Sequence, residues 1–145
     1  MFHFEEGEVF LIDKPLDWTS FDAVNLIRAV VKRYHGIRKL KVGHAGTLDP
    51  LATGLLIVCT GRMTKQIDHF QAQEKVYTGT FLLGQTTPSY DMECEPDAFF
   101  PTDGITVEMM EEARKQFIGE ILQRPPKFSA IKINGKKLYE LARQG

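Results

Sequence analysis

The sequence has 145 residues, of which 43% are hydrophobic and 26% are charged, so it suits one globular domain or a large piece of one. No apolar run approaches the roughly 18 residues that a membrane helix needs, and the acidic N-terminus is unlike a secretory signal. Cys59 and Cys94 are far apart and neither belongs to a CxxC pair, which argues against a zinc site and a disulfide framework. We therefore expect a cytoplasmic protein without a bound metal ion.

The formal net charge of −1 hides a segregation of charge along the chain. Residues 32–41 contain five basic residues and no acid, residues 91–112 contain eight acids and no base, and residues 124–145 contain six bases against one acid. A basic face is enough to attract the phosphates of a nucleic acid, whatever the net charge. Charge runs alone are more often solvated surface, so this observation by itself predicts no function.

The first half of the chain predicts a strand, a helix and a long loop. Residues 9–12 are apolar and β-favouring and are followed by a proline, which predicts a strand that runs into a loop. Thr19 and Ser20 offer N-caps for a helix with apolar residues at helical spacing, and Gly36 predicts its end. Residues 41–54 contain three glycines and a proline and predict a long loop, a kind of segment that often carries function.

The rest of the chain predicts further strands and helices in irregular order. A buried strand is predicted at residues 55–59, a half-buried strand at residues 75–83 and a further strand at residues 129–133. Helices are predicted within residues 61–70 and 106–121 and from residue 137 onwards, a tight turn at residues 134–135 and an acidic irregular segment at residues 86–104. Because helices and strands do not alternate regularly, the predicted class is α+β.

The predicted loop contains the sequence Gly-His-Ala-Gly-Thr-Leu-Asp-Pro at residues 43–50. Its glycines allow the backbone near His44 and Asp49 to approach a ligand closely, and Pro50 biases Asp49 away from helical geometry. An aspartate side chain is ionised at neutral pH, so it can attack without an activating base. An isolated Asp-Pro is more often a simple turn, and the loop alone makes Asp49 only a candidate.

Tyr77 and Lys65 are weaker candidates. Tyr77 follows Lys75 on a predicted strand, and an exposed aromatic beside a cation is typical of base stacking, although most strand tyrosines are packing residues. Lys65 and Arg62 lie near the start of a predicted short helix, where they are equally consistent with phosphate contacts and with surface charges.

Four stretches of the chain, in order and with sensible spacing, carry a recognisable pattern. They are Asp13-Lys14-Pro15 with Thr19-Ser20; residues 43–50 with Ala52-Thr53-Gly54; Lys75 and Tyr77 with Gly84, Thr87 and Asp91; and Gln123, Pro125-Pro126, Ser129-Ala130, Lys132, Gly135, Tyr139 and Ala142-Arg143. Together they resemble the motifs of the TruB family of pseudouridine synthases over nearly the whole chain. One short motif is weak evidence, but four in register are specific.

The resemblance implies that uridine in RNA is isomerised to pseudouridine, usually in the T-loop of the tRNA T-arm at position 55, without a cofactor and without a required protein partner. It implies that Asp49 is the nucleophile, that His44 helps displace the target nucleotide and that Tyr77 stacks on the flipped base. Lys14 and Pro15 match a stretch that supports the catalytic loop. The predicted substrate-binding set is His44, Tyr77, Lys14, Gly46, Thr47, Lys65 and Arg143.

The resemblance also implies a mixed, mainly antiparallel central sheet with flanking helices. Family members are longer, so we expect residues 1–145 to be the N-terminal portion of the catalytic domain, with the rest of that domain and a C-terminal RNA-binding domain outside this sequence. Activity is expected of the longer protein rather than of these residues alone. Two alternatives stay open: an RNA-binding fragment without catalysis, and a guide-RNA-dependent pseudouridine synthase that shares the catalytic motif.

Overall fold

A computed structural model of the chain describes residues 2–123 and the backbone of Lys132–Ile133 and Lys136–Lys137. The chain divides into two units, Met1–Thr78 and Gly79–Gly145, and each is described by itself. Within the described ranges, no helix is both long enough and apolar enough to cross a membrane.

The first unit is built on a three-stranded antiparallel sheet. Its strands are β1 (Val9–Lys14), β2 (Val42–Ala45) and β3 (Gly54–Thr60), in the spatial order β1-β3-β2. Lys14 pairs with Gly54, and Val42 pairs with Thr60. Because both outer strands run antiparallel to β3, they end at the end of the sheet where β3 begins.

Helix α1 (Ser20–His35) follows β1 and covers one face of this sheet. Thr19 caps it: its side chain accepts a hydrogen bond from the Asp22 backbone N–H, and the Asp22 carboxylate accepts one from the Thr19 N–H. This reciprocal capping box satisfies two backbone donors that a helix start leaves unpaired. The helix ends at Gly36, so its predicted start and end are confirmed.

The core of the first unit lies between α1 and the sheet. Val24, Leu56 and Val58 are at most 1% exposed, and full burial of each such side chain stabilises the fold by roughly 1.5–3 kcal/mol. The core cluster consists of Ala23, Val24, Val42, Leu56 and Val58, with Phe10, Ile12, Ile27, Leu40 and Leu48 packed against it. Leu48 extends this cluster into the loop between β2 and β3.

The predicted loop at residues 41–54 is partly wrong, because Val42–Ala45 forms β2. Its glycine disfavours a strand, but pairing with β3 and burial of Val42 override that local preference. The predicted buried strand at residues 55–59 is confirmed by β3, and the predicted turn and short helix by a 3-10 helix (Gly61–Gln66) followed by α2 (Ile67–Gln71).

The half-buried strand predicted at residues 75–83 is wrong. These residues have no regular secondary structure and are all exposed. A strand is held by hydrogen bonds to a neighbouring strand, and no strand in the described part of the chain pairs with this segment. Sequence alternation alone is therefore not enough to form a strand here.

The second unit contains short elements. They are β4 (Gln85–Thr86), β5 (Ala98–Phe99), α3 (Val107–Lys115), β6 (Lys132–Ile133) and β7 (Lys136–Lys137), with β4 antiparallel to β5 and β6 antiparallel to β7. The irregular segment predicted at residues 86–104 therefore contains part of a two-stranded ladder.

Helix α3 is shorter than the predicted helix at residues 106–121. Thr106 caps its start as expected, but Gln116 ends it, and the exposed Phe117 and Ile121 gain nothing from continuing it. Gly119 also disfavours a longer helix. Lys137 belongs to β7 and not to a helix, which corrects the predicted helix start at residue 137. The predicted turn at residues 134–135 and the rest of that predicted helix, residues 138–145, lie outside the described residues. Helices with antiparallel sheets confirm the predicted α+β class.

Candidate active site

The loop at residues 46–53 joins β2 to β3 and contains Asp49. It lies at the end of the sheet where β1 and β2 end and β3 begins, and where α1 also starts. Three different elements therefore meet beside the loop, so its shape is decided by contacts far apart in sequence. We call residues 46–53 the catalytic loop, after the role that the resemblance described above implies for Asp49 and that remains a prediction here.

The contact that holds the loop before Asp49 is made by Ser20, the first residue of α1. Its hydroxyl accepts a hydrogen bond from the Leu48 backbone N–H at 2.9 Å and donates one to the Leu48 carbonyl at 3.1 Å. Ser20 is 3% exposed, so little water competes for these groups. One buried side chain thus fixes both backbone groups of the residue immediately before Asp49.

A second contact holds the loop on the other side of Asp49. The Asp17 backbone N–H donates to the Pro50 carbonyl at 2.8 Å, and the Ala52 N–H closes a turn onto the Asp49 carbonyl at 3.0 Å. Asp17 has a φ of 64°, a backbone region that aspartate adopts more readily than most residues. The first residue of α1 and the segment between β1 and α1 therefore hold the catalytic loop before and after Asp49, respectively.

Lys14, at the end of β1, shapes the segment between β1 and α1. Its side chain is 0% exposed, and its ammonium donates to the Pro15 carbonyl at 3.0 Å and the Trp18 carbonyl at 2.6 Å. A buried ammonium requires such partners, because leaving it unpaired costs several kcal/mol. Lys14 therefore acts on the turn that supplies the Asp17 N–H, and its predicted part in substrate binding stays a prediction.

His44 and Gly46 interact at the start of the catalytic loop. The His44 Nδ1 lies 2.5 Å from the Gly46 carbonyl oxygen, and a carbonyl can only accept, so Nδ1 carries the proton. In the neutral ring, Nε2 is then the hydrogen-bond acceptor that remains. Gly46 has a φ of 96°, which a residue with a side chain adopts only with strain, so this carbonyl orientation depends on glycine.

Asp49 itself and Thr47 are exposed. In the part of the chain that the structure describes, the Asp49 carboxylate has neither a hydrogen bond nor an ion pair. The backbone around Asp49 is therefore held firmly while its side chain is left open to solvent. Such an arrangement presents a carboxylate to a ligand without occupying it.

The other predicted site residues are not brought to this loop by any described contact. Tyr77 is 71% exposed and lies in the irregular segment that follows α2. Lys65 belongs to the 3-10 helix after β3, at the opposite end of the sheet from the catalytic loop. Arg143 lies outside the described residues. Among the residues that the structure describes, no group of three or more His, Cys, Asp or Glu is arranged to hold a metal ion.

Sequence analysis missed the parts played by Ser20 and Asp17. Ser20 was interpreted as a possible helix cap, but Thr19 is the cap and the Ser20 hydroxyl points into the catalytic loop. Asp17 acts through its backbone, which leaves no signal in the identity of the residue.

The chain is similar to known proteins over most of its length. Residues 32–145 match the family described as "TruB family pseudouridylate synthase (N terminal domain)". Proteins named tRNA pseudouridine synthase B are similar as well: that of Phocaeicola vulgatus is 58% identical over 99% of this chain, that of Flavobacterium johnsoniae 58% over 97%, and that of Chlorobaculum tepidum 52% over 97%.

The alignments span 61%, 62% and 58% of the lengths of these three relatives, so the chain covers about three fifths of each. The family match includes β2, the catalytic loop and β3, which together carry Asp49 at the end of the sheet. The agreement of this match with the three motifs that lie within residues 32–145, and with the α+β architecture, leads to one conclusion. The chain belongs to the TruB family of pseudouridylate synthases.

Proposed function

We propose that the intact protein converts uridine to pseudouridine in tRNA, at position 55 in the T-loop, with Asp49 as the nucleophile. One observation carries this proposal: Asp49 presents an exposed carboxylate on a loop whose backbone is fixed on both sides, at Leu48 and at Pro50. The names of the similar proteins support the choice of reaction and of tRNA.

The proposed chemistry needs no group beyond those of the RNA and the protein. The N1–C1′ bond of the uridine breaks, the uracil rotates and a C5–C1′ bond forms; C5 loses its proton to solvent and N1 gains one. Oxidation state is unchanged, so no redox cofactor or group donor enters. Asp49 assists either by adding covalently to the base or ribose, or by accepting a ribosyl proton.

The target nucleotide must leave its stacked position before Asp49 can reach it. Extrusion of a base costs a few kcal/mol, and stacking on an aromatic side chain returns about 1–3 kcal/mol per base. In the proposal Tyr77, whose ring is exposed, supplies that stacking surface. His44, whose Nδ1 is engaged by the Gly46 carbonyl, offers Nε2 to the displaced nucleotide.

An Asp49→Asn variant of the intact protein tests the proposal. The assay measures release of tritium from C5-labelled uridine in a T-arm stem-loop RNA, with no guide RNA and no other protein present. We expect turnover to fall by at least about a thousandfold, because a nucleophile is removed, with RNA affinity within about twofold. Asp17→Asn is the matched control, since it removes a neighbouring carboxylate but keeps the backbone N–H that reaches Pro50.

The same assay separates the alternatives. RNA binding without tritium release from the unaltered protein would identify an RNA-binding module that does not catalyse. Turnover that begins only when guide RNA and other proteins are added would identify a guide-RNA-dependent enzyme. Turnover that Asp49→Asn leaves unchanged would exclude Asp49 as the nucleophile.

A further inference from the structure

A strongly basic surface lies on the first unit, away from the catalytic loop. Arg28 and Lys32 of α1, together with Arg38 and Lys39 of the segment before β2, line a concavity of about 470 Å³. Its other lining residues are Ala29, Ile37 and Leu40, so it contains no acid. We call Arg28, Lys32, Arg38 and Lys39 the basic surface.

The positive charge of the basic surface is not neutralised by described residues. None of its four side chains forms an ion pair with another part of the described chain. Arg28 is held in place by a hydrogen bond from its guanidinium to the Val42 carbonyl at 2.9 Å, while Lys32, Arg38 and Lys39 are exposed. Four cations without acids create a local potential that favours an anion.

The charge continues beyond this concavity. A second concavity of about 230 Å³ shares Lys39 and Leu40 with the first and adds Lys41, Arg62 and Lys65, against the single acid Glu5. The positive potential therefore extends over a surface larger than one phosphate group. A polyanion fits this extent better than a small anion does.

The basic surface and the catalytic loop lie at opposite ends of the same sheet. Strand β3 begins beside the catalytic loop and its seven residues reach the other end, a length of about 20 Å for six steps of roughly 3.4 Å. Helix α1 gives a consistent value: Ser20 contacts the catalytic loop, and Lys32 is twelve residues further on, about 18 Å along the helix.

We propose that the basic surface binds the sugar-phosphate backbone of the double-helical stem of the RNA substrate, about 20 Å from the uridine at Asp49. This proposal rests on the proposed function for the identity of the RNA. The target uridine lies in a loop, so RNA at this distance belongs to the stem.

The chemistry of the basic surface favours duplex over single-stranded RNA. Single strands are bound by stacking their bases on aromatic side chains, and the lining of this concavity contains none. Duplex RNA is instead recognised through its phosphates and 2′-hydroxyl groups, which cationic side chains contact without reading sequence. The surface therefore sets the register of the stem and does not select bases.

An Arg38→Ala/Lys39→Ala variant of the intact protein tests this proposal. Two hairpin RNAs with the same loop are compared, one with a stem of about ten base pairs and one with about three, so that only the longer stem reaches the basic surface. We expect the affinity for the long hairpin at low salt to fall about tenfold, with affinity for the short hairpin unchanged. Removing two phosphate contacts should also make the loss of affinity between about 50 and 200 mM salt about tenfold smaller.

Matched variants separate charge from folding. Arg114→Ala/Lys115→Ala removes two adjacent cations that are ion-paired with Glu111 and Glu112, and it should leave both affinities unchanged. Arg38→Lys/Lys39→Arg keeps both charges and should retain affinity for the long stem. Equal losses on both hairpins, or no recovery of affinity when the charges are kept, would overturn the proposal.

The test is independent of catalysis when binding is measured on Asp49→Asn protein. Stem-dependent binding through the basic surface without pseudouridine formation by the unaltered enzyme would refute the proposed function and leave this surface standing. Normal pseudouridine formation with identical affinities for long and short stems would refute stem binding by the basic surface and leave the proposed function standing.

Discussion

Replacing Ser20 with alanine tests how the catalytic loop is held. The substitution removes one hydroxyl that both accepts from the Leu48 N–H and donates to the Leu48 carbonyl. Neither backbone group has another hydrogen-bond partner among the described residues, and Ser20 is buried, so water replaces the lost bonds poorly. Asp49 is the next residue along the chain and moves with Leu48.

The expected loss of stability follows from the two hydrogen bonds. Each contributes about 0.5–1.5 kcal/mol net, so Ser20→Ala should lower the free energy of unfolding by about 1–3 kcal/mol. Alanine has the higher helix propensity, but that gain is only a few tenths of a kcal/mol and does not offset the loss. A displacement of the proposed nucleophile Asp49 by about 1 Å costs roughly a hundredfold in rate, so under the proposed function kcat should fall by about 10–100-fold with little change in KM.

Urea unfolding and steady-state kinetics of the intact protein measure both effects, and Thr19→Ala is the matched control. Thr19 caps α1 without contacting the catalytic loop, and loss of a cap costs about 1 kcal/mol. The control should therefore lose similar stability and keep its kcat within about twofold. If Ser20→Ala keeps kcat as well as Thr19→Ala does, Ser20 only stabilises the fold and the positioning argument fails.

Three other features of the structure predict measurable outcomes. Gly61→Ala should lower the free energy of unfolding by about 2–5 kcal/mol, because its new methyl overlaps backbone carbonyls of the N-terminal turn. The methyl of Gly46→Ala meets only open space, so this variant should lower the free energy of unfolding by about 1–3 kcal/mol. Equal urea midpoints for the two variants would contradict this difference. Hydrogen bonds to the side chain and backbone of Thr19 lower the pKa of Asp22, so stability is present above the ordinary aspartate pKa of about 4 and lost as pH falls below it. Urea titrations at several acidic pH values should show a shallower loss in Asp22→Asn, and an unchanged slope would refute the assignment. Burial raises the pKa of the Cys59 thiol, so iodoacetamide should label Cys94 first in the folded protein, as mass spectrometry can measure; equal labelling would show that Cys59 is accessible.

Local signals in the sequence predicted the elements that depend on neighbouring residues. The capping residue of α1, its apolar spacing and its terminal glycine all act within a few residues, and the helix has the predicted bounds. The apolar run at residues 55–59 predicts strand β3, and the structure buries residues 58–60 on both faces of the sheet. In both cases the sequence pattern and the tertiary environment favour the same structure.

Elements that depend on a distant partner were predicted poorly. Strand β2 contains a glycine and a histidine and forms because β3 lies beside it, whereas residues 75–83 alternate and yet have no partner strand among the described residues. The candidate site divides in the same way. His44, Gly46 and Asp49 are neighbours in one motif, so the sequence itself places them close together. The contact of Ser20 with Leu48 joins residues 28 positions apart and could only be seen in the fold.

The proposed nucleophile and the proposed stem-binding surface are connected by the same helix and the same strand. Helix α1 begins at Ser20, which holds the catalytic loop, and carries Arg28 and Lys32 of the basic surface. Strand β3 spans the same distance on the other side of the shared core. In the proposed complex the separation between the two RNA contacts is therefore set by the length of a capped helix and a buried strand. Because neither changes length without breaking backbone hydrogen bonds, the stem contact can fix which nucleotide of the loop reaches Asp49.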